Sequence, residues 1–184
     1  RKESSAASDV YKRQTIDSEL QDFCYKALDG QSGCVSVTNV ITGECSALVT
    51  SPSYDPNLFS ATISNSKWEK LNNDRYKPLI NKSISNQYPP GSTIKPFVAI
   101  AALEAGISES KTIFCNGKHE IADKSLESGV KTFHCWKKQG HGNVDLNEAI
   151  KVSCDVYFYQ IAREIGINKI AEVCKRFGLG KQVF

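Results

Sequence analysis

The sequence predicts an α+β domain in which helices flank antiparallel strands around a central buried helix. Three observations carry that prediction. Apolar residues recur at helical spacing in 15–28 and again through 145–177. Two β-rich runs between Gly33 and Thr50 flank a turn at Asn39–Gly43. The most apolar segment, Ser92–Leu103, is apolar nearly all round, as a helix at a domain centre must be.

Taken in order, Ile16, Leu20, Phe23, Ala27 and Leu28 give an amphipathic helix that Asp29-Gly30 ends. The hairpin follows, and then a loop over 51–57 with two prolines. Residues 60–86 read as polar and irregular, with a short helix around Lys67–Leu71. Pro89-Pro90-Gly91 is incompatible with a helix, so the central helix is expected to begin at about Ser92. Pro96 is tolerated in its first turn, and Gly106 ends it. Residues 111–144 read as one long connection rich in Cys, His, Gly and Lys. Such a length inside a compact domain is functional or held by something. Asp145-Leu-Asn-Glu148 has the form of a capping box and opens a helix towards Val152. Helical runs over 156–165 and 168–177 complete the pattern.

Composition narrows the function. The chain has 184 residues, 40% hydrophobic, with a net charge of +3 and dispersed Lys and Arg. That is a packed domain without the basic patch of a nucleic-acid binder, so no nucleic-acid partner is expected. No apolar run is long enough to span a bilayer. The absence of any methionine reads as a fragment or processed piece. Residues 1–14 have little apolar content and no period, and are expected to be a non-native or disordered tail.

The chemistry is concentrated in two places. Ser92 and Lys95 stand three apart at the start of the apolar helix, on one face, where an amine can take a serine proton. The helix N-terminus favours the negative charge that then develops. Ser153-Cys154-Asp155 lies between two helical runs and offers a second hydroxyl and a carboxylate. Each motif alone also fits a simple helix start or break.

Together, and with their surroundings, they resemble the transpeptidase domain of penicillin-binding proteins, and most closely the elongation-type, class B enzymes. Five ordered segments carry the resemblance: Thr15-Ile-Asp17 with Leu20-Gln21; Val49–Phe59; Tyr88–Pro96; Trp136-Lys-Lys-Gln-Gly-His-Gly142; and Ser153–Gln160. They span about residues 15–184, which the resemblance makes the N-terminal portion of that domain, in a serine transpeptidase/β-lactamase-like fold. It implies a D,D-transpeptidase that cross-links peptidoglycan stem peptides through a Ser92 acyl-enzyme and is acylated by β-lactams. Lys95 is then the general base, Ser153 relays the proton, and Asp155, where many relatives carry Asn, positions Lys95 and the substrate. It also implies a lipid-linked precursor, a polytopic glycosyltransferase partner and other elongation-complex proteins. The expected location is the periplasmic face of the bacterial inner membrane, with the anchor before this region. One departure is large. The family's third motif, of K-T-G type, is absent: Lys111-Thr112 and Lys131-Thr132 are not followed by Gly. That motif supplies an oxyanion-hole amide, whose loss alone costs about 10²–10³ in rate. The chain by itself is therefore expected to be an incomplete transpeptidase.

Of seven cysteines, Cys24, Cys34, Cys45 and Cys174 fall in helix or strand patterns and read as small core residues. Cys115, Cys135 and Cys154, with His141, make a Cys₃His set that suits a structural, tetrahedral Zn²⁺ with no open position. Some elongation-type relatives hold a zinc in this region, with Asp replacing some of these cysteines. The resemblance also raises the rival, a Cys115–Cys135 disulfide, because the family works in an oxidising compartment. His119 and His134 read as loop residues, and no nucleophile-elbow pattern supports a Ser-His-Asp triad. Competing functions are a β-lactam sensor domain, a class D-like β-lactamase and a division-type penicillin-binding protein. Tyr54-Asp-Pro-Asn57 and Gly140-His-Gly142 argue against the sensor, and Tyr88-Pro89-Pro90 against the division type.

Overall fold

The computed structural model describes residues 13–60 and 62–181. The expected tail over 1–14 therefore lies almost wholly outside the described residues. The chain divides into two compact units, residues 1–88 and 89–184. Within the described residues both mix helices with small antiparallel sheets.

In the first unit, α1 (Ser18–Ala27) is capped by Asp17, whose carboxylate accepts from the amides of Glu19 and Leu20. Strands β1 (Gly33–Thr38) and β2 (Cys45–Ser51) pair antiparallel, from Gly33 opposite Ser51 to Thr38 opposite Cys45. The turn between them is held by Asn39, whose side-chain oxygen accepts from the amides of Ile41 and Thr42. Helix α1 docks on β2. The Gln21 side chain donates to Leu48 O at 2.9 Å and accepts from Leu48 N at 2.8 Å, imitating one more strand pairing. Cys24, Ala47 and Val49 form the small core, with Leu20, Leu28, Val35 and Val37 against it.

Residues 60–86 are more helical than the sequence predicts. They contain α2 (Asn65–Asn72), capped by Ser64, and α3 (Lys82–Ser85), capped by Asn81. Lys82 is the surprise here: it is buried, and its Nζ donates to Pro52 O at 3.2 Å and Lys77 O at 3.4 Å. Burial holds its amine below the usual lysine range, with Asp74 opposing the shift.

The second unit is organised by α4 (Lys95–Glu104), which packs against α6 (Asp155–Ile165) and α7 (Ile167–Arg176). Its buried Val98, Ala99, Ala101 and Ala102 are mostly small, which lets helix axes approach closely. Leu103 remains about half exposed, so α4 is not buried all round as expected. From α6, Tyr157, Ile161 and Ile165 recur every four residues and face the core. Full burial of a side chain such as Ile161 contributes about 1.5–3 kcal/mol.

The expected long connection over 111–144 is instead two antiparallel strand pairs. β3 (Ile113–Cys115) pairs with β6 (Gly142–Val144), and β4 (Lys118–Ala122) with β5 (Val130–His134). His119 and His134 are thus strand residues, not loop residues. The strands escape sequence reading because they are only three to five residues long, and β4 and β5 are mostly exposed. Helix α5 (Leu146–Lys151) follows, with Asp145 accepting from Glu148 N as its cap.

Candidate active site

Ser92 sits in a 3₁₀ turn, Gly91–Ile94, that feeds directly into α4, so the regular helix begins at Lys95 and not at Ser92. The nucleophile candidate still lies at a helical N-terminus. Ser153 and Asp155 come from the junction of α5 and α6. That junction has the hydrogen bonds of a Schellman motif: Cys154 N donates to Ala149 O at 2.9 Å and Ser153 N to Ile150 O at 3.2 Å. In this motif the residue after the cap is left-handed and is usually glycine. Here it is Ser153, at φ +52°. A non-glycine residue there costs about 1–2 kcal/mol, a strain that the contacts of its side chain and carbonyl must hold in place.

Both touch Lys95. Its Nζ donates to Ser153 O at 2.7 Å, to Ser153 Oγ at 2.9 Å and to Asp155 Oδ1 at 2.6 Å. An ammonium has three donors, and all three are used. Lys95 is buried, and the Phe158 ring lies 5.7 Å from its Nζ. Ser92 reaches this group through Ser153, whose hydroxyl donates to Ser92 Oγ at 2.9 Å. The four residues singled out from sequence therefore form one hydrogen-bonded chain, Ser92–Ser153–Lys95–Asp155. No direct hydrogen bond accompanies the i, i+3 spacing of Ser92 and Lys95; the two are joined through Ser153. The second oxygen of Asp155 accepts from the backbone amide of Trp136 at 3.0 Å.

Next to this chain lies the cysteine cluster. The ligand atoms of Cys115, Cys135, His141 and Cys154 all lie within 4.8 Å of one another. His141 Nδ1 is 3.6 Å from Cys115 Sγ and 3.5 Å from Cys135 Sγ. Zinc–ligand bonds of about 2.3 Å to sulfur and 2.0–2.1 Å to nitrogen give a tetrahedral S···N edge of about 3.5 Å, so these donors fit such an ion. All three sulfurs are buried, free thiols. Burial pushes the Cys154 thiol up to about 12. Burial works to raise Cys115, but hydrogen bonds to its sulfur, from the amides of His141 and Gly117 and from Cys154 and Cys135, together hold it below the usual range. Burial, aided by Lys137, lowers His141 and favours the neutral ring that ligates metals.

Two glycines let the segments cross tightly enough to build the cluster. A Cβ on Gly117 would fall 2.0 Å from Lys138 O, and one on Gly140 would fall 2.1 Å from Cys115 O. Cys34, Cys45 and Cys174 are half-buried and Cys24 is buried. Trp136 also belongs to this neighbourhood, and its place is not visible in the sequence, because its hydrogen-bond partners Val152 and Asp155 stand 16 and 19 positions away.

Residues 33–184 match the penicillin binding protein transpeptidase domain. The chain belongs to that family. It is 40% identical over 176 residues to the peptidoglycan D,D-transpeptidase MrdA of Escherichia coli K12, covering 95% of this chain and 27% of that protein. It thus spans about a quarter of the length of that relative. Among solved structures it resembles PBP2 of Helicobacter pylori in its complex with MreC, with a TM-score of 0.81, 36% identity, and coverage of 90% of this chain and 30% of that one. It also resembles penicillin-binding protein A of Mycobacterium tuberculosis as its penicillin G acyl-enzyme, with a TM-score of 0.77, 30% identity, and coverage of 91% and 40%.

Proposed function

We propose that the protein carrying this chain is a peptidoglycan D,D-transpeptidase of cell elongation, acylated at Ser92. The observation that carries the proposal is the hydrogen-bonded chain Ser92–Ser153–Lys95–Asp155. With Lys95 neutral, hydroxyl rotation reverses its direction: Ser92 O–H donates to Ser153 Oγ, and Ser153 O–H to Lys95 Nζ. As Ser92 Oγ attacks the penultimate D-Ala carbonyl, its proton passes to Ser153 and the Ser153 proton to Lys95. The bond from carbonyl carbon to leaving nitrogen then breaks. The proton returns along the same route to that nitrogen, and D-Ala leaves. An amine of a neighbouring stem next attacks the ester, forms the new amide and restores the Ser92 hydroxyl. Asp155 holds Lys95 in line throughout. A β-lactam carbonyl enters the same first step but leaves a tethered amine, so the ester persists.

Support for the elongation role comes from similarity to MrdA and from the Helicobacter pylori relative solved with MreC. Acylation by β-lactams is supported by the penicillin G acyl-enzyme of the Mycobacterium tuberculosis relative. We assign the protein to the periplasmic face of the inner membrane, with lipid-linked precursor as substrate and a polytopic glycosyltransferase among its partners. None of the described helices is long and apolar enough to cross a membrane. Cys115, Cys135, His141 and Cys154 would hold a structural Zn²⁺. So held, these residues would tie the segments around Cys115 and Cys135 to Cys154, the residue between Ser153 and Asp155, and the ion would supply no chemistry to the substrate.

The test is fluorescent-penicillin labelling of the full-length protein, with mass spectrometry of the adduct. A stable adduct on Ser92, absent in Ser92→Ala, is expected. Rapid hydrolysis of the adduct would make the protein a β-lactamase, and no adduct would remove the acyl-enzyme role.

A further inference from the structure

Between α5 and α6 the chain makes a left-handed turn at Ser153, and one residue from another part of the chain grips both sides of it. The Schellman bonds use the carbonyls of Ala149 and Ile150. The carbonyl of Val152, the cap of α5, is left as a helix-end orphan. It accepts from the indole Nε1 of Trp136 at 3.0 Å. The backbone amide of the same Trp136 donates to Asp155 Oδ2 at 3.0 Å. The Val152 carbonyl belongs to the peptide that leads into Ser153, so its direction sets the φ of +52° from which Ser153 Oγ reaches Ser92 and Lys95. Trp136 is 64% exposed and its ring stands edge-on to that of His141, centroids 5.2 Å apart, so packing into the core does not account for a tryptophan here. Trp136 also follows Cys135, which ties this grip to the cysteine cluster.

We propose that Trp136 is a positioning residue of the site: its indole N–H holds the Val152 carbonyl and so keeps Ser153 Oγ aimed between Lys95 and Ser92. The inference rests on the acyl-enzyme role proposed above. Its null is a tryptophan that merely caps α5, and the two differ in what they do to the chemical step.

The test uses the full-length protein and splits penicillin acylation into a non-covalent Kd and a first-order rate. Benzothienylalanine, incorporated at 136 only, keeps the ring and replaces the N–H with sulfur; Trp136→Phe is the genetic counterpart. Both are expected to lower the first-order rate about ten- to a hundredfold, with Kd, metal content and melting temperature unchanged. In a Ser153→Ala background the same changes are expected to cost nothing further, because Trp136 acts through Ser153. An unchanged rate, or a loss that only tracks lost metal or melting temperature, overturns the inference. A full additional loss in the Ser153→Ala background overturns it too. If the wild type itself takes no penicillin, the functional proposal fails first and this one with it.

Discussion

Ser153 Oγ lies 2.9 Å from Ser92 Oγ although 61 residues separate them in sequence. The same oxygen lies 2.9 Å from Lys95 Nζ, so a single hydroxyl joins the candidate nucleophile to the candidate base. A hydroxyl has one donor and two acceptor sites and rotates freely between them. That makes Ser153 suited to passing a proton in either direction, which acylation requires: away from Ser92 during attack and back towards the leaving nitrogen afterwards.

The backbone at Ser153 separates stability from function. Glycine is at ease in the left-handed conformation, so Ser153→Gly should be more stable than Ser153→Ala by up to about 1 kcal/mol, since both lose the Oγ that accepts from Lys95. The same change removes the relay hydroxyl and should slow penicillin acylation about 10²–10⁴-fold. Ser153→Ala should slow acylation equally. Thermal melts and stopped-flow acylation on the three proteins check this, and a Ser153→Gly protein that acylates normally would remove Ser153 from the mechanism.

Asp155 faces two donors with two oxygens, Lys95 Nζ at 2.6 Å and Trp136 N at 3.0 Å. The side chains of Lys95 and Asp155 are 10% and 21% exposed, so the pair is largely withdrawn from solvent. Asp155→Ala leaves a buried ammonium without its anion, at a cost of up to about 3–5 kcal/mol. Asp155→Asn keeps one acceptor and loses the other, which should cost about 1–3 kcal/mol. Melting temperatures should therefore fall in the order wild type, Asn, Ala; equal melting of the Asn and Ala variants would contradict the two-donor account.

Metal loading should release protons and strengthen with pH. Cys154 is a neutral thiol in the metal-free fold, pushed up to about 12 by burial, and must lose its proton to ligate. The direction follows: protons compete with the metal, so affinity rises as pH rises and the ion is lost on acidification. Purified protein should contain about one zinc per chain. A chromophoric chelator should extract it more readily at pH 6 than at pH 8, and Cys154→Ser should weaken retention at both. Metal-free protein with a Cys115–Cys135 disulfide would establish the rival state of the cluster.

Gly140 is the backbone counterpart of those ligands. It adopts φ +80°, and a Cβ there would sit 2.1 Å from Cys115 O. Gly140→Ala must push apart the segments that carry Cys115 and His141, so zinc affinity should fall at least about tenfold. Isothermal titration against a competing chelator measures this. Wild-type affinity in the variant would show that the crossing is not what builds the cluster.

Much of this was legible in the residues. Apolar helical patterns gave α1, α6 and α7, and an unbroken apolar run between Pro90 and Gly106 gave α4, each to within a few residues. Asp145 announced α5 by its capping pattern, and Asn39–Gly43 announced the hairpin. The pairing of Ser92-x-x-Lys95 with Ser153-x-Asp155 picked out four residues that the fold joins by hydrogen bonds. The strands β3 to β6 were not legible, since three to five residues are too few to carry a periodic apolar signal. They exist because glycine crossings and packing on α6 hold them. Lys82 was missed as well, because a lysine whose acceptors are distant carbonyls looks in sequence like any solvated one.

Local sequence by itself determined which residues are candidates for the chemistry, where most of the helices lie and which four side chains form a Cys₃His set. Those properties depend on residue type and short spacing, which a linear chain already contains. Tertiary structure alone decided that Ser92 meets Lys95 through Ser153, that Ser153 holds a position glycine usually takes, and that Trp136 grips the turn around it. Each of these depends on the direction of a backbone carbonyl or amide. Such directions are set by how α4, the α5–α6 junction and the Cys135 segment pack together, and no residue in isolation records them.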